Sequence, residues 1–183
     1  MASERYLALL RGINVGGKNI IRMTDLKTCF ENSGCTDVAT FIQSGNVMFR
    51  SAEKDRNKLE HAIERSLSAR FKYASRVVLL TYRQLDRVVV QAPESFGASP
   101  DAYRYNVIFL KRPLTGSGAM KNVTLKPGVD TACSCNGVLY FSVLKSEASR
   151  SHLTKIIGLP MYQHMTIRNW NTTTRVHALM GSM

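Results

Sequence analysis

Apolar residues recur along this chain in two alternating rhythms, short continuous runs and a spacing of three to four. Tyr6 to Leu10 is a run bounded by glycine, which predicts a buried strand. Thr24 is read as the N-cap of a helix with Leu26, Cys29 and Phe30 on one face, ended by Gly34. Val38 to Ile42 and Val47 to Phe49 predict strands on either side of the turn Gln43-Ser44-Gly45-Asn46. The clearest helix runs from Asp55 to Phe71, where Leu59, Ile63, Leu67 and Phe71 recur every four residues. Arg76 to Leu80 is a further strand, and Tyr82 to Val90 a helix with Leu85, Val88 and Val89 inward.

That order, β-α-β-β-α-β, is the split β-α-β arrangement of ferredoxin-like folds. It recurs after a segment rich in Pro, Gly and Ser at 92–104. Tyr105 to Leu110 is a strand, and Leu114 to Met120 a short helix or loop. Thr131 to Cys135 and Val138 to Val143 form a hairpin across Asn136-Gly137. A helix at Ser151 to Ile157 is stopped by Gly158 and Pro160, and strand Thr166 to Arg168 precedes a helix at Thr172 to Met180. The expected fold class is α+β, a tandem of two ferredoxin-like halves with antiparallel sheets. The first half covers 1–91, the connection 92–104, and the second half with its C-terminal helix 105–183.

Composition narrows the function more than the fold. The 183 residues carry 25 Lys and Arg against 13 Asp and Glu, a formal charge of +12. Such an excess favours anionic partners, nucleic acid or a phosphorylated ligand. No 18-residue apolar stretch is present, so no membrane partner is expected. The opening residues Met1 to Tyr6 lack the basic start and apolar core of a leader, which makes the cytoplasm the expected location. Cys29, Cys35, Cys133 and Cys135 have the wrong spacing for a zinc site, so no metal and no cofactor are expected.

The stretch Arg11-Gly12-Ile13-Asn14-Val15-Gly16-Gly17-Lys18-Asn19 fits the phosphate-loop pattern G-x-x-x-x-G-K except at its end. Asn19 stands where a hydroxyl should bind magnesium, and five residues intervene before the helix cap. No later strand ends in a carboxylate able to act as a second magnesium ligand. A nucleotide hydrolase is therefore disfavoured. The loop reads instead as an anion receiver made from backbone amides with Arg11, Lys18 and Arg22. Two further polar clusters, Gln43-Ser44-Gly45-Asn46 and Arg168-Asn169-Trp170-Asn171-Thr172, sit at strand ends. In the second, Asn171 or Thr172 serves as helix cap and Trp170 as a packing residue. The candidate ligand-binding residues are Arg11, Asn14, Gly16, Gly17, Lys18, Asn19, Gln43, Ser44, Asn46, Arg168, Asn169, Asn171 and Thr172.

These three motifs in order resemble the family called domain of unknown function 1697. The resemblance implies a bacterial-type α+β protein built as a tandem of ferredoxin-like halves, and it brings no catalytic residues with it. His61, His152, His164 and His177 have no partner at recognisable spacing, and no hydrolase or metalloprotease motif occurs. Sheet-face RNA recognition needs stacking aromatics on the third strand. Gly45-Asn46-Val47-Met48-Phe49 puts Asn46 in the place of the first ring and the first strand offers only Tyr6, so sheet-face RNA recognition is disfavoured, whereas phosphate-led binding is not excluded. The expected function is a binding module for a phosphate-bearing ligand, nucleic acid ahead of a free nucleotide. The alternative is a small-molecule enzyme that uses the same three loops.

Overall fold

The computed structural model describes residues 3–14 and 19–183. Its contacts divide the chain into two units, one of residues up to Leu85 together with Val176–Met183, the other Asp86–Arg175. The first unit runs β1 (Glu4–Leu10), α1 (Met23–Asn32), β2 (Thr36–Phe41), β3 (Asn46–Ser51), α2 (Arg56–Phe71) and β4 (Val77–Thr81). Its four strands form one antiparallel sheet in the order β2-β3-β1-β4.

Alternation along these strands sets the core. Tyr6, Ala8 and Leu10 of β1 join Val47, Phe49, Val77 and Leu79 on the face covered by the helices. Leu26 and Phe30 of α1, with Leu59, Ile63 and Leu67 of α2, pack down onto them. The spacing of four along α2 therefore records its buried face. Asp55 caps that helix, its carboxylate accepting from the amides of Asn57 and Lys58 at 2.9 and 3.1 Å. At α1 the sequence expectation fails. Arg22 holds the N-cap position without a side-chain cap, and Thr24 lies inside the helix. Burial of Ile21 fixes the chain direction there, so the helix starts before the polar residue arrives.

Strand β4 is a sheet edge whose outward amides are taken by side chains. Val77 donates to Glu64 Oε1 at 2.8 Å, Leu79 to Glu60 Oε2 at 3.3 Å and Thr81 to Gln84 Oε1 at 3.0 Å. Covering an edge in this way removes a template for strand pairing. Glu64→Ala leaves the buried Val77 amide without this acceptor and is expected to cost about 1–3 kcal/mol. Urea melts should show a lower midpoint with unchanged slope, and Glu64→Gln, which keeps a carbonyl acceptor, should recover most of the loss.

The second unit repeats the plan as β5 (Tyr103–Leu110), α4 (Gly116–Met120), β6 (Asp130–Cys135), β7 (Val138–Leu144), α5 (Leu153–Ile157) and β8 (Met165–Asn169). The sheet order β6-β7-β5-β8 is that of the first unit, again antiparallel throughout. The protein is thus a tandem of two split β-α-β halves. Asn136 and Gly137 both take positive φ, 53° and 78°, as the tight hairpin between β6 and β7 requires. Helix α3 (Tyr82–Val90) contains the division between units, as does α6 (Trp170–Gly181).

The helix expected at Ser151 to Ile157 starts two residues later, as α5, and a separate 3-10 turn at Lys145–Arg150 precedes it. The cause lies 21 residues earlier in sequence. The buried Asp130 carboxylate accepts from Ser151 Oγ at 2.6 Å and from the His152 amide at 2.8 Å, pinning the chain between the two turns. Among the described residues no helix is long and apolar enough to cross a membrane.

The cysteines divide by environment. Cys29 and Cys35 are buried, and burial pushes the Cys35 thiol up to about 11, with Cys29 adding to the shift. Burial also raises the Cys29 thiol. Cys133 is exposed. A thiol reagent at pH 8 is therefore expected to modify Cys133 in the native protein and to reach Cys29 and Cys35 only on unfolding. Mass mapping after timed quenching reads this directly, and early modification of Cys29 would contradict it.

Candidate functional site

Two of the three polar motifs meet in the first unit. Asn14 lies at φ 52° and its side chain closes the glycine-rich loop, accepting from the Ile21 amide at 2.8 Å and donating to the Ile21 and Gln43 carbonyls. Asn19, at φ 48°, donates through its side chain to the Gly12 carbonyl at 2.8 Å. The Leu10 amide donates to the Gly45 carbonyl, also at 2.8 Å, which seats the 43–46 turn against the start of the loop. Gly16, Gly17 and Lys18 lie outside the described residues.

These bonds assign work to several candidates. Asn46 is fully buried, and its amide donates to the Phe41 carbonyl and to Ser44 Oγ. Its side chain shapes the turn. Asn14 does the same for the loop, whereas Gln43 is exposed and contributes its carbonyl. Arg11 is half-buried, with its amide donating to the Arg76 carbonyl at 3.0 Å. Ile42 takes φ 48°, a strained setting for a β-branched residue, and stands half-exposed at the turn.

The third motif belongs to the second unit. Arg168 is half-buried on β8 and donates to Thr166 Oγ1 at 2.7 Å and to the Ile167 carbonyl at 2.9 Å. Burial pushes its guanidinium down to about 10, with Tyr162 acting the other way, so it remains protonated at neutral pH. Asn169 caps α6, its side chain accepting from the Asn171 amide at 2.9 Å. The cap thus stands earlier than Asn171 or Thr172, because β8 runs directly into the helix. Thr172 is half-buried and Asn171 exposed.

Trp170 is a packing residue, but it is half-buried rather than enclosed. Its ring meets Phe96 edge-on at 5.2 Å, and Phe96 makes the same kind of contact at 5.0 Å with both Tyr105 and Tyr140. Gly97, at φ 93°, passes so close to the indole that an added Cβ would stand 2.5 Å from its nitrogen.

Around this cluster the second unit holds two adjoining recesses. One is a cleft of about 100 Å³ walled by Arg104, Lys145, Asn169, Trp170 and Asn171. The other is a cavity of about 400 Å³ between the sheet and the segment after α3, with Phe96, Tyr103, Tyr105, Thr131, Cys133 and Tyr140 in its wall. Tyr103 and Tyr105 line both. The cleft is cationic and rich in amide groups at the start of a helix, an environment that suits an anion. Among the described residues no group of three or more His, Cys, Asp or Glu is placed to hold a metal ion.

Sequence reading found Asn169 and Asn171 but missed Arg104, Lys145 and the aromatic wall. A signal was available. Tyr103 and Tyr105 alternate on β5, and Tyr140 and Ser142 on β7, the first and third strands of their half. Those are the strands on which split β-α-β folds carry stacking rings. The same test applied to the second half rather than the first would have found them.

Residues 3–140 match the sequence model of the family described as protein of unknown function (DUF1697). The 168–172 motif lies beyond the matched residues. Among solved structures, the protein is similar to the one described as the conserved bacterial protein SP0830 from Streptococcus pneumoniae. The two share 25% sequence identity over 98% of this chain and 99% of that one, with a TM-score of 0.86. No curated protein sequence matches. The motifs, the strand order of both halves and the family match lead to one assignment: the chain belongs to the DUF1697 family.

Proposed function

We propose that this protein binds a phosphate-bearing ligand, with nucleic acid the favoured partner. The observation that carries the reading is the cleft of the second unit, where Arg104 and Lys145 converge with Asn169 and Asn171 at the start of α6. Guanidinium and ammonium supply charge, the side-chain amides supply further donors, and the helix start adds a favourable dipole. The net charge of +12 favours a polyanion over a single phosphate. Under the same reading Arg11 and Lys18 of the glycine-rich loop are also candidate phosphate contacts.

Counterion release makes the proposal measurable. Binding of labelled RNA, single-stranded DNA and heparin should weaken steeply with salt, the slope reporting the number of phosphates neutralised. Lys18→Ala is expected to leave the melting temperature within about 2 °C of the parent while lowering the slope by about one unit. Affinity for all three polyanions that is absent at low salt, or present without salt dependence, would defeat the proposal.

A further inference from the structure

We infer that the 400 Å³ cavity of the second unit receives one unstacked base of a single-stranded nucleic acid, while the adjoining cleft holds its phosphate. This rests on the phosphate-binding reading and names the kind of strand that satisfies it.

The cavity has the size of a small-ligand site, within the usual range of roughly 300–1,000 Å³. Its wall carries no charge. Phe96, Tyr103, Tyr105 and Tyr140 supply rings, and Ser95, Ser99, Thr131 and Ser142 supply hydroxyls. Burial pushes the Tyr140 phenol up to about 12, so it stays neutral and donates to the Val88 carbonyl at 2.8 Å. Burial, then Cys135, raises the Cys133 thiol, which stays protonated as well. A neutral, planar group with hydrogen-bonding edges fits such a wall, and an anion does not.

The cleft beyond Tyr103 and Tyr105 has the opposite character, with Arg104 and Lys145. A ligand that fills both recesses joins a neutral ring to an anion, which describes a nucleotide. Of the three tyrosines, Tyr105 and Tyr140 are buried and engaged: Tyr105 Oη accepts from the Ser99 amide, and Tyr140 donates as above. Tyr103 is half-buried and shared by both recesses, which makes it the stacking surface. A base held there is out of its helical stack, so a duplex does not satisfy the site.

The test uses the full chain and four probes at fixed salt: a labelled RNA 12-mer, its duplex, heparin, and a nucleoside monophosphate as competitor. The single strand is expected to bind at least tenfold more tightly than the duplex. Tyr103→Ala should weaken single-strand binding about 5- to 100-fold, leave heparin unaffected and keep the salt slope, whereas Tyr103→Phe retains binding. Thr131→Trp, at an exposed position of edge strand β6, should block the cavity with the same pattern and no loss of melting temperature. Equal binding of strand and duplex overturns the inference, as does parental binding by both Tyr103→Ala and Thr131→Trp. Competition by the monophosphate at equal nucleotide concentration also overturns it, in favour of a free nucleotide. Loss of heparin binding in the parent protein would instead strike the phosphate reading beneath it.

Discussion

Gly45→Ala is expected to destabilise the first unit by about 2–5 kcal/mol. Two costs combine. Gly45 holds φ 75°, where a side chain costs about 1–2 kcal/mol. The new Cβ would also stand 2.8 Å from both Ile13 Cδ1 and Leu10 Cβ, and overpacking of this kind typically costs about 1–3 kcal/mol. Leu10 and Ile13 are buried, and the Leu10 amide is held by the Gly45 carbonyl, so neither side has room to retreat. For a chain of this length each kcal/mol shifts the melting temperature by about 2–4 °C. Gly12→Ala is the control. It has a similar φ of 69° but, among the described residues, no atom within 4 Å of its added Cβ, so the backbone cost of about 1–2 kcal/mol is expected alone. Thermal melts of the two variants should differ clearly. Equal losses would mean that the 43–46 turn is not packed against the glycine-rich loop.

Gly97→Ala should act on stability and binding together. The backbone stands at φ 93°, and the added Cβ would meet Trp170 Nε1 at 2.5 Å and Cδ1 at 2.9 Å. The indole has little freedom to yield, because Phe96 packs edge-on against it and against two tyrosines. A loss of about 2–5 kcal/mol is expected from the same two costs. The displaced rings are those that wall the aromatic cavity, so single-strand affinity should fall in the folded protein, well below the melting temperature. A variant that melts early yet binds single strands like the parent would separate the cavity from the proposed site.

Local chemistry was readable where it acted alone. The Asn136-Gly137 turn and the fourfold spacing along α2 each specify an element through residues close in sequence. Only β2–β3 and β6–β7 pair as sequence neighbours, and the remaining strand order belongs to the split β-α-β plan that those elements imply. The failures share a cause. Asp130 delays the start of α5 from 21 residues away, and Ile21 overrides the cap preference of Thr24 through burial. The aromatic cavity draws on β5, β6, β7 and the segment before β5, so no window along the chain contains it. That segment, rich in proline and glycine, reads as a connection, and its packing role through Phe96 and Gly97 emerges only when the sheet is assembled. Within the glycine-rich loop the asparagines are legible as polar but not as structural. Their side chains close turns, a use that composition does not separate from ligand binding.

The most direct test of the central claim is the salt dependence of RNA binding by the parent protein and by Arg104→Ala/Lys145→Ala. Both side chains are exposed, so the variant should melt close to the parent. At each of four salt concentrations, a labelled single-stranded RNA is titrated and the logarithm of affinity plotted against that of salt. The account predicts a parental line of steep negative slope and a variant line shallower by about two units, with the affinity difference greatest at low salt. Coincident lines from two equally folded proteins would contradict it.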